Sequence, residues 1–280
     1  MSKQNYAIRL MNREDVDTAV SWAASEGWNP GTHDAGCFFS ADNYGYLIGE
    51  LNGEPVGCIS CVAYGNWFGF IGLYIVKPEY RGQGYGIKLW NDAIAYLKGR
   101  NIGLDGVIEQ QENYKKSGFK LAYRNIRYEA IGDGKLVQSI VPVADIPLAQ
   151  ILEYDRKCFP VDRELFMTNW LNMPNVVSLA KVENGVLQGF GVIRTCGNGY
   201  KIGPLFADDE RIAEDLYQSL TSHAIGALVY FDVPEINRPA VAIAERHNMK
   251  MVFETARMYT KEEPKVDLNR VFGVTTFELG

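Results

Sequence analysis

The chain has 280 residues, of which 47% are hydrophobic, and its formal net charge at pH 7 is −6. That length suits two average domains, and the acidic balance disfavours nucleic acid or an anionic membrane as a partner, because phosphate contacts need clustered lysine and arginine. The sequence contains no run of about 18 apolar residues, the length needed to span a membrane. Residues 1–15 lack the apolar core of a signal peptide, so we expect a cytoplasmic protein.

The first half alternates between strand and helix patterns. Alternation and β-branched residues predict strands, and a 3.6-residue apolar repeat predicts helices. In chain order we predict a strand at 7–11, a helix at 13–24, strands at 44–51, 56–62 and 67–76, a helix at 87–97, a strand at 104–108, a short helix at 114–117 and a strand at 119–129. Asn52-Gly53 is a two-residue hairpin signal between two of these strands.

The second half repeats the order of the first. Four landmarks recur at an offset of about 130 residues, which indicates a duplicated fold. The pairs are Asp15-Val16 with Asp145-Ile146, Asn52-Gly53 with Asn184-Gly185, Ile71-Gly72 with Ile202-Gly203, and Gly118-Phe119 with Asn248-Met249. We therefore predict domains at 1–131 and 136–280, joined by the linker Gly132-Asp133-Gly134.

The five cysteines are scattered and odd in number, which argues against a disulfide framework. Cys58 and Cys61 form a C-x-x-C within the predicted strand 56–62, without a second pair or a nearby histidine. We interpret them as ordinary buried cysteines and expect no metal.

A cluster of glycines separates the strand at 67–76 from the helix at 87–97. It contains Arg81, Gly82, Gly84 and Gly86. Glycines at a helix start let a phosphate approach unpaired backbone N–H groups, and an arginine adds a fixed cation. The spacing matches neither the Walker A loop nor the G-x-G-x-x-G dinucleotide motif. The alternative is a glycine-rich turn with an incidental arginine.

The surroundings of this loop carry a family resemblance. V-K-P-E-Y-R-G-Q-G-Y-G at 76–86 resembles the acyl-CoA signature of the GNAT acyltransferase superfamily, and Y-K-K-S-G-F at 114–119 is similar to the family's Y-x-x-x-G-F motif. The close resemblance covers about residues 5–130. It implies an α/β (α+β) fold of two tandem GNAT-like domains, each a mixed, mainly antiparallel twisted sheet flanked by helices.

The resemblance also implies an acetyl-CoA site in the first half. Leu73, Tyr74, Ile75 and Val76 would contact the pantetheine arm, and the loop residues Arg81, Gly82, Gln83, Gly84, Tyr85 and Gly86 would hold the pyrophosphate. Asn113 and Lys115 would also touch the donor. Tyr114 would protonate the departing thiolate, which suits a phenol with a pKa of about 10. The alternative is that Tyr114 is an aromatic residue of the hydrophobic core with no catalytic role.

The sequence departs from the family pattern where a general base is expected. Many members carry a glutamate on the strand before the loop, but this chain has Ile71 and Gly72 there, and Val107 replaces the family's asparagine. Glu109 is our candidate base. Asp105 and bulk water remain alternatives, and either carboxylate could be a solvated surface charge.

Acceptor-binding residues are harder to predict. Trp28 and His33 lie in an unusual loop of the first half, and Tyr200 and Asp232 lie near predicted strand ends of the second. We list all four as candidates, although a packing histidine or a turn-capping acid would look the same. Where the second half should have its glycine loop it has Asp208-Asp209-Glu210, which would repel a phosphate. We therefore expect one acyl-CoA site per chain.

The resemblance implies an N-acetyltransferase that moves an acetyl group from acetyl-CoA to a primary amine of a small molecule or peptide. Direct attack by the amine, with Tyr114 as general acid, would need no covalent enzyme intermediate. Two alternatives stay open. One is a non-catalytic acyl-CoA-binding protein, and the other is an acyltransferase with another donor or a larger acceptor. The sequence predicts neither the acceptor's identity nor the oligomeric state.

Overall fold

The computed structural model describes residues 5–280, so the first four residues of the predicted first domain lie outside it. In chain order the first half contains β1 (Tyr6–Leu10), α1 (Arg13–Ser25), α2 (Asp34–Ala41), β2 (Tyr46–Leu51), β3 (Glu54–Tyr64), β4 (Phe68–Val76), α3 (Tyr85–Tyr96), β5 (Asn101–Val107), α4 (Gln111–Lys116) and β6 (Lys120–Ile131). The second half contains β7 (Ile140–Pro142), α5 (Leu148–Cys158), α6 (Glu164–Leu171), β8 (Val177–Glu183), β9 (Val186–Thr195), β10 (Tyr200–Ala207), α7 (Glu210–Thr221), β11 (Leu228–Pro234), α8 (Arg238–Arg246), β12 (Lys250–Tyr259) and β13 (Val271–Gly273).

The mixed α/β class and the tandem arrangement are confirmed, and local chemistry explains many element boundaries. In both halves an Asn-Gly pair with positive φ at both residues joins a hairpin, Asn52-Gly53 between β2 and β3 and Asn184-Gly185 between β8 and β9. Helix α1 begins with a capping box between Asn12 and Asp15. Helix α2 was not predicted, because its sequence DAGCFFSA follows a loop rich in turn residues and is too short to show a clear periodicity.

The two halves form one continuous sheet in the described part of the chain, in the order β1-β2-β3-β4-β5-β12-β6-β11-β10-β9-β8-β7, with β13 paired to β10. Strand β12 of the second half lies between β5 and β6 of the first and is antiparallel to both. Strand β6 pairs on its other side with β11. Each half therefore contributes its last long strand to the neighbouring half, which the sequence repeat did not predict.

The largest hydrophobic core is shared between the halves. Trp170 of α6 is fully buried and stacks on Phe38 of α2, with ring centroids 6.2 Å apart. Phe159, which follows α5, contacts Phe68 of β4 edge-on at 5.9 Å. These contacts cross between the halves, so the largest core belongs to both, whereas a second core is built from buried residues of the second half alone.

The segment 271–280 is buried along its whole length. It begins as β13 against β10, and the Val274 N–H then donates to the Asp232 carbonyl at 2.9 Å. Further along it reaches the first half, where the Leu279 carbonyl accepts a hydrogen bond from the Tyr64 hydroxyl at 3.2 Å. This segment therefore connects the clefts of both halves.

All five cysteines are free and buried, including Cys58 and Cys61. Among residues 5–280, no cluster of three histidine, cysteine or acidic side chains has an arrangement that could hold a metal ion. Over the same residues, no helix has both the length and the apolar character needed to cross a bilayer.

Candidate active site

A cleft opens in the first half where β4 and β5 diverge. Their parallel pairing ends at Ile71 and Leu104, although β4 continues to Val76 and β5 to Val107. The divergence coincides with a bulge, because Leu73 has a φ of 45° and the register between β3 and β4 shifts there. The edge of β4 beyond the bulge is therefore available to an extended ligand.

The glycine loop lies at the mouth of this cleft. Gly82 and Gly84 have φ values of 74° and 83°, and a β-carbon on either residue would meet no atom of the described chain within 4 Å. Gly84 is the N-cap of α3, and no side chain caps this helix. A helix start of this kind offers backbone N–H groups and a positive dipole end to an anion, and the glycines leave the approach open.

Arg81 is held beside the loop by two contacts. Its Nε donates to the Val76 carbonyl at 2.7 Å, and its guanidinium pairs with Glu26 at the end of α1. Half of the arginine side chain is exposed. The cation is thus anchored to the end of β4 while keeping one face toward solvent and the cleft.

Tyr114 of α4 projects into the same region. Its ring stacks on Trp90 of α3, with centroids 5.5 Å apart. The ring also packs closely over Gly106, because a β-carbon on that residue would lie 2.3 Å from the tyrosine ring. Burial, with a smaller contribution from Tyr74, raises the pKa of the Tyr114 phenol well above its ordinary value. The group therefore keeps its proton at neutral pH.

The cleft forms part of a cavity of about 630 Å³ that extends from the glycine loop to the junction of the two halves. At its far end it is lined by Trp28, by Phe253 and Thr255 of β12, and by Phe277 and Glu278 of the segment 271–280. The second half thus completes the wall of a cavity whose glycine loop belongs to the first half.

Most of the predicted site residues line this cavity. They are Trp28, Leu73, Tyr74, Ile75, Val76, Arg81, Gly82, Gly84, Tyr85, Gly86, Glu109 and Tyr114. Glu109 lies on the exposed turn between β5 and α4, and Asp105 also borders the cavity. However, Asp105 accepts two hydrogen bonds from Arg257, at 2.8 and 2.6 Å, and one from Asn125. This pairing makes Asp105 a poor candidate for a base.

Three predicted donor-binding side chains point elsewhere. The Gln83 amide donates to the Glu79 carbonyl at 3.0 Å, the Asn113 amide donates to Gln110, and Lys115 pairs with Glu112. Asn113 and Lys115 are exposed on α4. None of the three is among the residues that line the cavity within the described chain.

The predicted acceptor residues other than Trp28 also lie outside the cavity wall. His33 is the half-buried N-cap of α2, and Tyr200 packs against the core of the second half. Asp232 requires a correction. Its carboxylate is buried and accepts two hydrogen bonds from Arg127, at 2.7 and 2.8 Å, so it is occupied by an internal cation.

Asp232 belongs to a buried group of charges behind the far end of the cavity, which we call the interdomain charge cluster. Its members are Asp34, Arg127, Arg194, Lys201 and Asp232. Burial alone would raise the pKa of Asp232, but Arg127 outweighs it and the pKa is lowered. Burial lowers the pKa of Lys201 to about 8, and the nearby Arg127 adds to this effect.

The equivalent cleft of the second half is closed. Strands β10 and β11 pair only over Tyr200–Ile202, and β13 then pairs with β10 where the strands diverge. At the position of the glycine loop, the Asp209 carboxylate accepts from the Ile212 N–H at 2.8 Å and caps α7. A strand and a carboxylate therefore occupy the places that are open in the first half.

Sequence reasoning missed the side chains that close the far end of the cavity, Phe253, Thr255, Phe277 and Glu278. No motif marks them. They reach the site only because β12 crosses into the first half and the segment 271–280 follows it.

Comparisons with known proteins agree with this architecture. Residues 9–119 match the family described as "Acetyltransferase (GNAT) family", and residues 151–273 match "Acetyltransferase (GNAT) domain". A protein of Pseudoalteromonas sp. (strain SANK 73390) named holothin acyltransferase is 29% identical, over 99% of this chain and 95% of its own length.

Solved structures resemble the whole chain. A putative acetyltransferase from Pyrococcus horikoshii has a TM-score of 0.86 at 25% identity, covering 100% of this chain and 98% of that one. A tandem GNAT protein from the clavulanic acid biosynthesis pathway has a TM-score of 0.64 at 12% identity, covering 93% and 100%, and shows likeness of fold alone. The chain therefore belongs to the GNAT acetyltransferase family, with two GNAT domains in tandem.

Proposed function

We propose that this protein is an N-acetyltransferase that transfers the acetyl group of acetyl-CoA to a primary amine by direct attack. The observation that carries the proposal is the combination, in one cavity, of a splayed strand edge, an uncapped glycine loop and a half-buried tyrosine. Each of these suits one part of an acyl-CoA: the pantetheine arm, the pyrophosphate and the thioester sulfur.

The residues of the first half fit such a donor. The open space above Gly82 and Gly84 has room for a pyrophosphate against backbone N–H groups, with Arg81 beside it. The free edge of β4 from Gly72 to Val76 would pair with the amides of the pantetheine arm. Acetyl-CoA supplies an activated thioester, and the chain itself supplies orientation and a proton.

Tyr114 is the proposed general acid. A phenol is protonated at neutral pH even at its ordinary pKa, so Tyr114 has a proton for a departing thiolate. Burial raises the pKa of Tyr114, which makes it a weaker acid, so its contribution depends on its position in the cavity. A positioned acid of this kind typically contributes a rate factor of about 10²–10⁴.

The acceptor end of the cavity supports a small amine with an apolar body. Three aromatic side chains, Trp28, Phe253 and Phe277, line it, and acidic side chains stand beside them. The relative named holothin acyltransferase also supports a small-molecule acceptor. A peptide amine and a longer acyl donor remain within the proposed class and are outcomes of the test below.

The test is thiol release by the purified protein, with acetyl-CoA and longer acyl-CoAs against a panel of aromatic amines, aliphatic amines, polyamines and peptides. We expect turnover with acetyl-CoA and an apolar amine. Tyr114→Phe should lower kcat about 10²–10⁴-fold without changing the Kd for acetyl-CoA. Tyr44→Phe is the control, because it removes an exposed hydroxyl that does not line the cavity, and its kcat should match wild type.

Calorimetry separates the alternatives. One acetyl-CoA bound per chain with no thiol release from any amine would favour a non-catalytic acyl-CoA-binding protein. Two bound per chain would contradict our interpretation that β13 and Asp209 close the second cleft. Absence of binding would overturn both the enzyme and the binding-protein proposals.

A further inference from the structure

We propose that Glu278, which the segment 271–280 carries into the cavity, is the general base that accepts the proton of the acceptor amine. The inference rests on the proposed function. It assigns to the second half of the chain a catalytic residue for chemistry that takes place in the first.

The first step of the argument is elimination among the carboxylates that line the cavity, which are Glu26, Asp105, Glu109 and Glu278. Glu26 pairs with Arg81 at the glycine-loop end, and Asp105 is bound by Arg257. Glu109 lies on the exposed rim. Glu278 is buried, with 5% of the residue exposed, and it accepts a hydrogen bond from the hydroxyl of Thr276 in its own segment.

The second step is position. Gly72 is the first residue of β4 beyond the last pair with β5, so it lies where the cleft opens. A β-carbon on Gly72 would lie 2.1 Å from the Glu278 carbonyl oxygen and 2.9 Å from its Cα. The backbone of Glu278 therefore fills the volume that a side chain on residue 72 would need. Glu278 therefore borders the cleft at the place where β4 carries no side chain, and it lines the cavity.

The third step is charge. The interdomain charge cluster contains three cationic side chains, Arg127, Arg194 and Lys201, but only two acids, Asp34 and Asp232. The charge of Glu278 acts favourably on all three cations and balances the cluster.

The proposed step balances as follows. The ammonium form of the acceptor gives one proton to Glu278, and the neutral amine attacks the thioester carbonyl. The C–N bond forms and the C–S bond breaks, while Tyr114 protonates the departing sulfur. The second proton shed by the nitrogen restores Tyr114 through solvent, and Glu278 loses its proton to water.

The experiment compares Glu278→Gln with Glu109→Gln, a matched loss of a carboxylate from the rim of the same cavity. We expect Glu278→Gln to lower kcat for an aliphatic amine about 10²–10⁴-fold, with the Kd for acetyl-CoA unchanged. Glu109→Gln, at the rival carboxylate, should lower kcat at least tenfold less than Glu278→Gln does. Glu263→Gln is the control and should match wild type, because Glu263 is exposed and is not among the residues that line the cavity. The reverse pattern would overturn the proposal in favour of Glu109.

A second acceptor distinguishes a base from a structural residue. An aromatic amine or an acyl hydrazide is already neutral at pH 7 and needs no base before attack. The loss in Glu278→Gln should therefore shrink to less than tenfold with such an acceptor. An equal loss with both acceptors would show that Glu278 only supports the cavity wall.

Folding of the variant is checked by urea unfolding. If Glu278→Gln does not fold, Glu278→Asp keeps the charge and withdraws it by one methylene, and kcat should fall about 10–100-fold at unchanged acetyl-CoA affinity, as expected for a misplaced catalytic group. Full activity of that variant would overturn the proposal. Wild-type protein without turnover would instead contradict the proposed function, so the two failures are distinguishable.

Discussion

The substitution Gly84→Ala tests the glycine loop against a control that suffers the same backbone strain. Gly84 and Gly99 have φ values of 83° and 88°, and a β-carbon on either would meet nothing within 4 Å. An alanine in this left-handed region costs about 1–2 kcal/mol at each position. Only Gly84 borders the cavity. Its methyl group would project into the open space that we assign to the pyrophosphate.

We therefore expect both variants to lose about 1–2 kcal/mol of unfolding free energy in urea. Calorimetric titration with acetyl-CoA should then separate them. Gly84→Ala should bind at least about tenfold more weakly, equivalent to about 1.4 kcal/mol, whereas Gly99→Ala should bind like wild type. Equal acetyl-CoA affinity in the two variants would refute the assignment of the pyrophosphate to this loop.

Three further changes probe the junction of the halves by urea unfolding. Gly72→Ala should cost about 1–3 kcal/mol, because the new methyl group would overlap the backbone of Glu278; an unchanged stability would mean that the segment 271–280 is not seated there. Asp34→Asn should cost about 3–5 kcal/mol by leaving the buried Arg194 unpaired, and adding Arg194→Met should recover part of the loss. A double variant no more stable than the single one would contradict the pairing. Burial lowers the pKa of Lys201 from its ordinary value of 10.5 to about 8 in the folded chain. Between these two pH values the unfolded chain therefore binds more protons than the folded chain, so the free energy of unfolding rises with pH. The stability of wild type relative to Lys201→Met should therefore increase by about 3 kcal/mol from pH 7 to pH 11, and a flat difference would show that Lys201 is not desolvated.

The parts of the site that sequence predicts well are those governed by local chemistry. The two Asn-Gly hairpins and the glycine loop before α3 each depend on residues adjacent in the chain, and positive φ values bear out the glycines at these turns. The same local logic predicted acids at the start of α7, where Asp209 caps the helix. An uncapped glycine loop and a helix start capped by an acid can therefore be recognised from a few neighbouring residues.

The far end of the cavity, where we propose that the acceptor binds, could not be predicted in this way. Phe253 and Glu278 lie about 180–200 residues from β4 in the chain and reach it through the exchange of β12 and the path of the segment 271–280. Asp232 illustrates the reverse error, because an acid at a strand end resembles a substrate ligand until its partner Arg127, distant in sequence, is located. Long-range pairing decides both cases, and no local pattern encodes it.

The exchange of strands has a consequence for how such a protein can evolve. A gene encoding only residues 1–131 would yield a sheet in which β5 and β6 lack the strand that separates them, together with a cavity open at its acceptor end. The second copy could therefore lose its own glycine loop, yet it could not be deleted, because it supplies strand β12 and part of the cavity wall. With the function proposed above, selection on one active site acts on both copies, and mutations that alter acceptor choice can accumulate in the copy without the glycine loop.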